Sequence, residues 1–319
     1  MDSVPFGKTD LQVSVAGLGC GGSSRLGQSA GKSVDHSVSL VRAAFDAGVN
    51  FFDTAQVYGT EPIVGQALEH IPRDQVVISS KFKGARGSNV LTAAETIAAV
   101  DHSLNALRTD YIDVFNLHAV VGREYDLIQD HVLPTLLREQ EKGKIRHIGI
   151  TESSPRDLNH DMLTRAIEAP EFGAIAIAYN MMNQHAGRHI LPKAHERGIG
   201  TVIMFAVRAV FSIPGRLQRD VKTRVDAGEL PAWMAEVDNP LDFLLHPEGA
   251  ATLIDAAYRY VRHKAFCDVI LFGTGDLGHL QSNVASIASG PLPEADIQKL
   301  ETLFEDLVGF GCDFPEPTS

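Results

Sequence analysis

Short runs of apolar residues alternate along the chain with longer segments whose apolar residues recur every three to four positions. The short runs are nearly continuous, which is typical of parallel strands covered on both faces, and the longer segments indicate amphipathic helices. Eight strands are predicted: Val15–Leu18, Asn50–Asp53, Val76–Lys81, Ile112–Leu117, Ile145–Thr151, Ala174–Ala178, Gly200–Phe205 and Val269–Phe272. Eight strands that alternate with helices favour an α/β fold of the closed (β/α)8 type, the TIM barrel.

Capping residues mark the ends of the predicted helices. Thr92 is a suitable N-cap, Gly48 and Gly198 are suitable C-caps, and Pro155 after two serines is typical of a first helical turn. The predicted helices are Ser33–Ala47, Ala93–Leu107, Pro155–Ile167, Leu191–Arg197 and Asp276–Ala288.

Two segments depart from regular alternation of strands and helices. Residues 5–13 predict a short β-hairpin before the first barrel strand, and we expect it to plug the barrel floor. Residues 206–268, after the seventh strand, form a connection about twice as long as the others and begin at the rim where barrel enzymes carry their active-site loops. We interpret residues 1–319 as one barrel domain.

An open, doubly wound sheet is the alternative architecture. It predicts a GxGxxG turn that follows the first strand and opens a helix. The glycines after the first strand are Gly17, Gly19, Gly21 and Gly22, and no clear helix follows them. The pattern therefore favours the barrel.

Composition narrows the classes of partner. The chain has 28 Lys and Arg against 40 Asp and Glu, a net charge of −12 that repels nucleic acid and anionic membranes. Three widely separated cysteines, no basic and apolar leader and no long apolar stretch favour a cytoplasmic protein with free thiols. His185 and His189 have helical metal-pair spacing but no acidic partner nearby, so we expect no metal site.

Reactive side chains end three consecutive predicted strands. Asp53 ends the second strand and is followed by Tyr58, Lys81 ends the third, and His118 follows the fourth. Because the carboxyl ends of barrel strands meet at one rim, we expect these four side chains to lie together. Reduction of a carbonyl by hydride transfer needs a proton donor at oxygen, and Tyr58 can supply that proton.

The neighbours of Tyr58 make this chemistry coherent. A tyrosine hydroxyl has a pKa near 10, and we expect the positive charge of Lys81 to lower it. A carboxylate at Asp53 would hold the lysine, and His118 would donate a hydrogen bond to the substrate oxygen.

The chain resembles the aldo-keto reductase superfamily over nearly its whole length. The similarity rests on Asp53-x4-Tyr58, Lys81 and His118 and on the segments AGLGCGG, AAFDAGVNFFDTAQVYGTEPIVGQAL, DHSLNALRTDYIDVFNLH, KGKIRHIGIT, YN (Tyr179-Asn180) and LFGTGDLGHLQSN. The resemblance implies a (β/α)8 barrel, a nicotinamide cofactor lying across the rim, and Tyr58 as the proton donor. It also implies a cofactor-binding set of Thr151, Asn180, Phe205, Gly273, Thr274, Gly275, Leu277, His279 and Asn283. Arg208 follows the seventh strand and is assigned to the cofactor as well, with a substrate anchor or a structural salt bridge as the alternatives.

Departures from the family pattern bear on the cofactor. Members usually have Ser-Asn where this chain has Thr151-Glu152, and many hold the 2′-phosphate of NADP with Lys or Arg near the final glycine turn. No Lys or Arg stands between Lys264 and Lys299, and Asp276 lies beside that turn. The cofactor is therefore NADP or NAD, and we hypothesise that NAD binds at least as well; distant basic residues that fold over the cofactor are the alternative.

The expected function is NAD(P)-dependent interconversion of an aldehyde, ketone or lactol with the corresponding alcohol or lactone. Two alternatives stay open. The same family fold serves as a cofactor-binding, redox-sensing regulatory subunit, and Lys81 alone would suit a Schiff-base lyase, which leaves Tyr58 without a role. The sequence names neither the substrate nor the oligomeric state.

Overall fold

The computed structural model describes residues 1–312, and the end of the predicted domain, residues 313–319, lies outside the described residues. The strands are β1 (Ser3–Pro5), β2 (Gln12–Ser14), β3 (Ala16–Gly19), β4 (Phe51–Asp53), β5 (Val77–Phe82), β6 (Ala85–Arg86), β7 (Asn89–Val90), β8 (Ile112–Val120), β9 (Ile145–Glu152), β10 (Phe172–Ala178), β11 (Gly200–Met204) and β12 (Val269–Phe272).

The α-helices lie between the barrel strands and after the last one. They are α1 (Val34–Asp46), α2 (Glu61–Leu68), α3 (Ala93–Leu107), α4 (Gly122–His131), α5 (Leu133–Glu141), α6 (Asp161–Ala166), α7 (His185–His189), α8 (Leu191–Glu196), α9 (Ala209–Ser212), α10 (Arg216–Asp226), α11 (Leu253–Arg262), α12 (Leu277–Ala288) and α13 (Glu294–Phe304).

Eight parallel strands form a closed barrel in the order β3, β4, β5, β8, β9, β10, β11 and β12, and β12 pairs with β3 to complete it. The predicted (β/α)8 barrel is therefore confirmed, and the open-sheet alternative is wrong. Spatial order equals chain order because each crossover returns the chain beside the strand it has just left. No described helix is long and apolar enough to cross a membrane.

The N-terminal hairpin closes one end of the barrel, as predicted. β1 and β2 pair antiparallel, and Phe6 between them is fully buried. Its ring lies so close to Gly200 that a Cβ there would fall within 2.7 Å of it. Phe6, Leu11 and Val13 join the inward-facing residues of six barrel strands in one apolar cluster. The floor is thus a packed core rather than an opening.

The predicted helix Pro155–Ile167 is wrong in extent. A short 3-10 turn spans Ser154–Arg156, and α6 begins only at Asp161. Asp157 explains the break, because its carboxylate accepts hydrogen bonds from the backbone N–H groups of Asp161 and Met162 at 2.8 and 2.9 Å. A capping carboxylate satisfies the first N–H groups of a helix and fixes where it starts.

The long segment after β11 is folded. It contains α9, α10, two 3-10 turns and α11, and α11 packs against α12. Its apolar residues Val210, Leu217, Val221 and Met234 are buried in the main core. The segment is therefore part of the barrel's outer layer along most of its length.

Candidate active site

The four residues predicted to react converge at the carboxyl end of the barrel. Asp53 ends β4, Lys81 lies in β5 and His118 lies in β8, three strands that neighbour one another in the barrel. Tyr58 lies in a 3-10 turn just after β4, and its Oη is 3.3 Å from Nε2 of His118. The two rings meet edge to face with centroids 5.4 Å apart. The Tyr58 hydroxyl and the His118 imidazole are therefore close enough to contact one and the same ligand atom.

A buried ion pair lies beneath Tyr58. Lys81 Nζ is 2.5 Å from Oδ2 of Asp53 and also donates to the carbonyl oxygen of Thr54 at 2.8 Å. The other carboxylate oxygen of Asp53 accepts a hydrogen bond from the Ser79 hydroxyl at 2.9 Å. Lys81 Nζ stands 5.2 Å from the centre of the Tyr58 ring. These bonds fix the lysine's ammonium beside the tyrosine.

Burial and nearby charges have opposite effects on the pKa values of Lys81 and Tyr58. Burial alone would lower the pKa of Lys81, but the Asp53 carboxylate outweighs it and the pKa is raised, so the lysine stays charged. Burial also raises the pKa of Tyr58, and the Lys81 charge opposes this without reversing it. The predicted lowering of the tyrosine pKa is therefore wrong in its net direction, because desolvation of the phenolate exceeds the attraction of the lysine.

His118 is neutral at ordinary pH. Burial lowers its pKa to about 3, and the nearby positive charges of Lys81 and Lys83 contribute in the same direction. Its Nδ1 is buried and has no hydrogen-bond partner among the described residues. A neutral imidazole can donate one hydrogen bond to a substrate oxygen without competing as a proton source.

The loop between β3 and α1 holds Tyr58 in position, which the sequence did not reveal. The Arg25 guanidinium donates a hydrogen bond to the Tyr58 carbonyl oxygen. Gly21 lies against the face of the tyrosine ring, and a Cβ there would stand 2.4 Å from Cε2 of Tyr58. Only glycine leaves room for the ring at this position.

Comparisons with known proteins point to one family. The model of the Aldo/keto reductase family matches residues 18–305. "Probable aldo-keto reductase 1" of Glycine max is 27% identical over 93% of this chain and 87% of its own, and L-galactose dehydrogenase of Arabidopsis thaliana is 30% identical over 62% of each. An aldo-keto reductase of Bacillus halodurans, solved in an apo form, covers 97% of this chain and 98% of its own with a TM-score of 0.71 and 21% identity. The chain belongs to the aldo-keto reductase family.

Members of this family are NAD(P)-dependent oxidoreductases that act on small carbonyl compounds. The residues that the family resemblance assigned to the cofactor divide into two groups. One group lies at the final glycine turn and α12, and the other lies at the ends of β9, β10 and β11.

The final glycine turn fits a dinucleotide. Gly273 is exposed, and a Cβ there would meet nothing nearer than the Gly19 carbonyl oxygen at 3.6 Å. Thr274 is buried and its hydroxyl bonds within the turn, while His279 is exposed and Asn283 half-buried on α12. An open backbone that leads into a helix N-terminus is a surface on which a pyrophosphate can lie.

The β3–α1 loop also packs against this turn. The α-carbon of Gly27 stands 2.6 Å from where a Cβ on Gly275 would lie, and His36 Nε2 is 2.8 Å from the Gly275 carbonyl oxygen. Lys32 follows Gly27 in the same loop and is close enough to contribute to the lowered pKa of Asp276. A cation from a segment distant in sequence therefore lies near the turn, as the alternative of distant basic residues requires.

Two polar residues assigned to the cofactor already bond within the protein. The hydroxyl of Thr151 accepts a hydrogen bond from the N–H of Ala119 at 2.7 Å. The Asn180 side chain is fully buried, accepts from the N–H groups of Met182 and Asn183, and donates to the carbonyl oxygen of Phe310 at 3.5 Å. Both support the rim backbone, and their contact with a cofactor stays a prediction.

Phe205 lies just past the end of β11 instead of within it. Its φ of +67° is left-handed, a strained conformation for a residue with a side chain. The Arg208 guanidinium carbon stands 4.1 Å from the centre of its ring. Arg208 and Phe205 therefore form one stacked unit at the rim.

Glu152 and His160 form a buried pair that sequence reasoning missed. Glu152 accepts from His160 Nδ1 at 2.6 Å and from the N–H of Ala178 at 2.8 Å. The usual family residue at this position is asparagine, so the departure itself was the available signal. His185 and His189 stack beside the pair, and the described residues contain no group of three metal-binding side chains.

Proposed function

We propose that this aldo-keto reductase interconverts an aldehyde, ketone or lactol with the corresponding alcohol or lactone, with Tyr58 as the proton donor and acceptor. The observation that carries the proposal is the 3.3 Å approach of Tyr58 Oη to His118 Nε2 beside the buried Lys81–Asp53 pair. The L-galactose dehydrogenase among the relatives supports a lactol as one form of the substrate.

Each residue has a separate task in this chemistry. A bound nicotinamide would supply the hydride in reduction and accept it in oxidation. As the carbonyl becomes an alcohol, Tyr58 Oη gives its proton to the substrate oxygen, and the Lys81 ammonium stabilises the tyrosinate that remains. Asp53 keeps the lysine charged and in place. Neutral His118 donates a hydrogen bond that orients the carbonyl oxygen.

The proposed cofactor surface runs from the final glycine turn to the catalytic residues. Gly273, Thr274, Gly275, His279 and Asn283 would hold the adenosine and pyrophosphate end, with the N-terminus of α12 as an anion site. The remaining proposed contacts, toward the nicotinamide end, are Thr151, Asn180, Phe205 and Arg208.

Replacement of Tyr58 by Phe tests the proposed function. We expect kcat for a panel of aldehydes and lactols to fall by about 10²–10⁴-fold, because one positioned proton donor is lost. Fluorescence titration should show an unchanged Kd for the reduced cofactor, since the phenol oxygen is proposed to meet substrate only. Wild-type binding without turnover of any panel member would contradict the enzyme and support the redox-sensing subunit. Loss of cofactor binding in the variant would contradict the role given to Tyr58.

We further propose that NAD is bound at least as well as NADP. The carboxylate of Asp276 accepts the His279 N–H at 2.9 Å at the start of α12, so a negative charge stands beside the turn and would repel a 2′-phosphate. Lys32 is the nearby charge that acts in the opposite direction.

Two single substitutions separate these effects on the cofactor. Asp276→Asn should strengthen NADPH binding by about three- to tenfold and leave NADH binding within twofold, because one exposed repulsion is removed. Lys32→Met should weaken NADPH binding only. A strong wild-type preference for NADPH in calorimetric titrations would contradict the proposal.

A further inference from the structure

Three positively charged side chains are grouped near His118: Lys83 acts on His118, and Arg86 and Arg156 act on Lys83. Lys83 directly follows β5, Arg86 ends β6, and Arg156 lies in the turn that follows β9. Lys83 Nζ donates a hydrogen bond at 3.0 Å to the carbonyl oxygen of Ala119, the residue after His118. The rim next to His118 therefore carries the ammonium of Lys83, and Arg86 and Arg156 lie near enough to act on it.

These three cations differ from most other Lys and Arg side chains of the protein, which form ion pairs with carboxylates. None of the three forms an ion pair with any of residues 1–312, whereas Lys144, for comparison, contacts both Asp101 and Glu139. Glu124 is the acidic group that acts on Lys83, and one of its oxygens accepts the Gly87 N–H at 2.7 Å.

The surroundings of Lys83 disfavour its charged ammonium form. Burial lowers its pKa, Glu124 opposes this, and Arg156 and Arg86 lower it further. Its charge also reaches His118, whose pKa it helps to lower. A half-buried lysine beside two arginines gains stability when an anion joins the group. In a chain of net charge −12, such a local concentration of positive charge steers small anions to the mouth.

We propose that Lys83, with Arg86 and Arg156 around it, binds a carboxylate or phosphate group of the substrate while Tyr58 and His118 hold its carbonyl. The inference rests on the proposed function and gives it a substrate class: carbonyl or lactol compounds that carry an anionic group. Neutral aldehydes reach the same catalytic residues but lack the contact with Lys83.

Matched substrate pairs test the inference. One pair is 4-carboxybenzaldehyde and 4-methylbenzaldehyde, and the other is glyceraldehyde 3-phosphate and glyceraldehyde. For each pair that the enzyme accepts as substrates, we expect kcat/KM of the anionic member to exceed that of the neutral member by about tenfold at low ionic strength, because its KM is lower. Added salt should reduce this difference, since it screens the charge contact. The pair that shows the preference identifies carboxylate or phosphate as the recognised group.

Lys83→Met should lower the anionic-to-neutral ratio of kcat/KM by about tenfold, as expected for one desolvated charge contact. Lys193→Met, at an exposed position on α8, is the matched control and should keep the wild-type ratio. Calorimetry with 4-(hydroxymethyl)benzoate adds a readout independent of turnover, and its Kd should weaken to the same degree in Lys83→Met alone.

The possible failures are distinguishable. Equal kcat/KM within both pairs, or a preference that survives Lys83→Met, overturns the anion site and leaves the proposed oxidoreductase intact. No turnover of any substrate with either nicotinamide cofactor overturns the proposed function. In that case, binding of 4-(hydroxymethyl)benzoate that depends on Lys83 still supports the anion site. If the benzoate does not bind, or binds equally well to Lys83→Met, the anion site is overturned as well.

Discussion

The two ends of the barrel each contain a buried aspartate, and the two aspartates are used differently. At the floor, Asp113 accepts from the Arg73 and Arg146 guanidiniums at 2.6 and 2.8 Å and from the Ile78 N–H at 2.8 Å. At the rim, Asp53 accepts from Lys81 and Ser79. Two planar guanidiniums fix the floor carboxylate, whereas one ammonium binds the rim carboxylate and still reaches Tyr58.

The difference separates stability from chemistry within one fold. The floor network joins the hairpin to the barrel, since Arg146 also contacts Asp10. The rim network ends on two groups that can exchange or direct a proton.

The largest expected effect is on activity at the rim. Lys81→Met should lower kcat by about 10²–10⁴-fold, because the tyrosinate loses its stabilising charge. It also leaves Asp53 buried without a counter-ion, so its melting temperature should be measured beside kcat. The double variant Asp53→Asn/Lys81→Met removes both charges and should recover the fold without recovering activity. Recovery of activity in the double variant would contradict the role of Lys81.

The matching change at the floor should act on stability. Asp113→Asn leaves two guanidiniums facing a neutral amide, and we expect the free energy of unfolding to fall by about 3 kcal/mol. Urea denaturation measures this change, while kcat should stay within about twofold of wild type because the floor is remote from the rim. A loss of kcat as large as that of Lys81→Met, in a protein still folded, would show that the two ends are coupled.

A third expected effect depends on pH and is absent at neutral pH. His118 has a folded pKa of about 3, below its ordinary value near 6.5. The unfolded chain therefore takes up a proton that the folded chain refuses, so the stability linked to this residue is complete above pH 6.5 and is lost as pH falls toward 3.

His118→Gln should flatten the stability profile across that pH window in urea titrations. Wild-type kcat/KM should show no histidine inflection between pH 5 and 8. An inflection near pH 6.5 that disappears in His118→Gln would contradict a neutral His118.

The sequence was sufficient for the barrel and for the four central residues because both depend on strand ends. Apolar runs mark the strands, and a parallel barrel brings their carboxyl ends to one rim, so Asp53, Lys81 and His118 had to meet. The helix caps were also predictable, because they depend on residues that are neighbours in the sequence. Thr92, for example, caps α3 through its hydroxyl as predicted.

The remaining features depend on contacts between distant segments. The break before α6 depends on which way the Asp157 carboxylate turns, and the helical periodicity of its sequence hides it. Lys32 lies near Asp276 only because the first loop packs on the last turn. The raised pKa of Tyr58 depends on burial, which residue types alone do not give.

The packing of Gly27 against Gly275 has a consequence for biosynthesis. Asp53 through His118 leave the ribosome early, but the loop that presses Gly21 against Tyr58 is secured by a turn that follows β12. β12 also supplies the partner for β3 that closes the barrel. The nascent chain therefore carries Asp53, Tyr58, Lys81 and His118 for most of its synthesis without the packing that positions Tyr58, and the arrangement at the rim is completed only after β12 has been made.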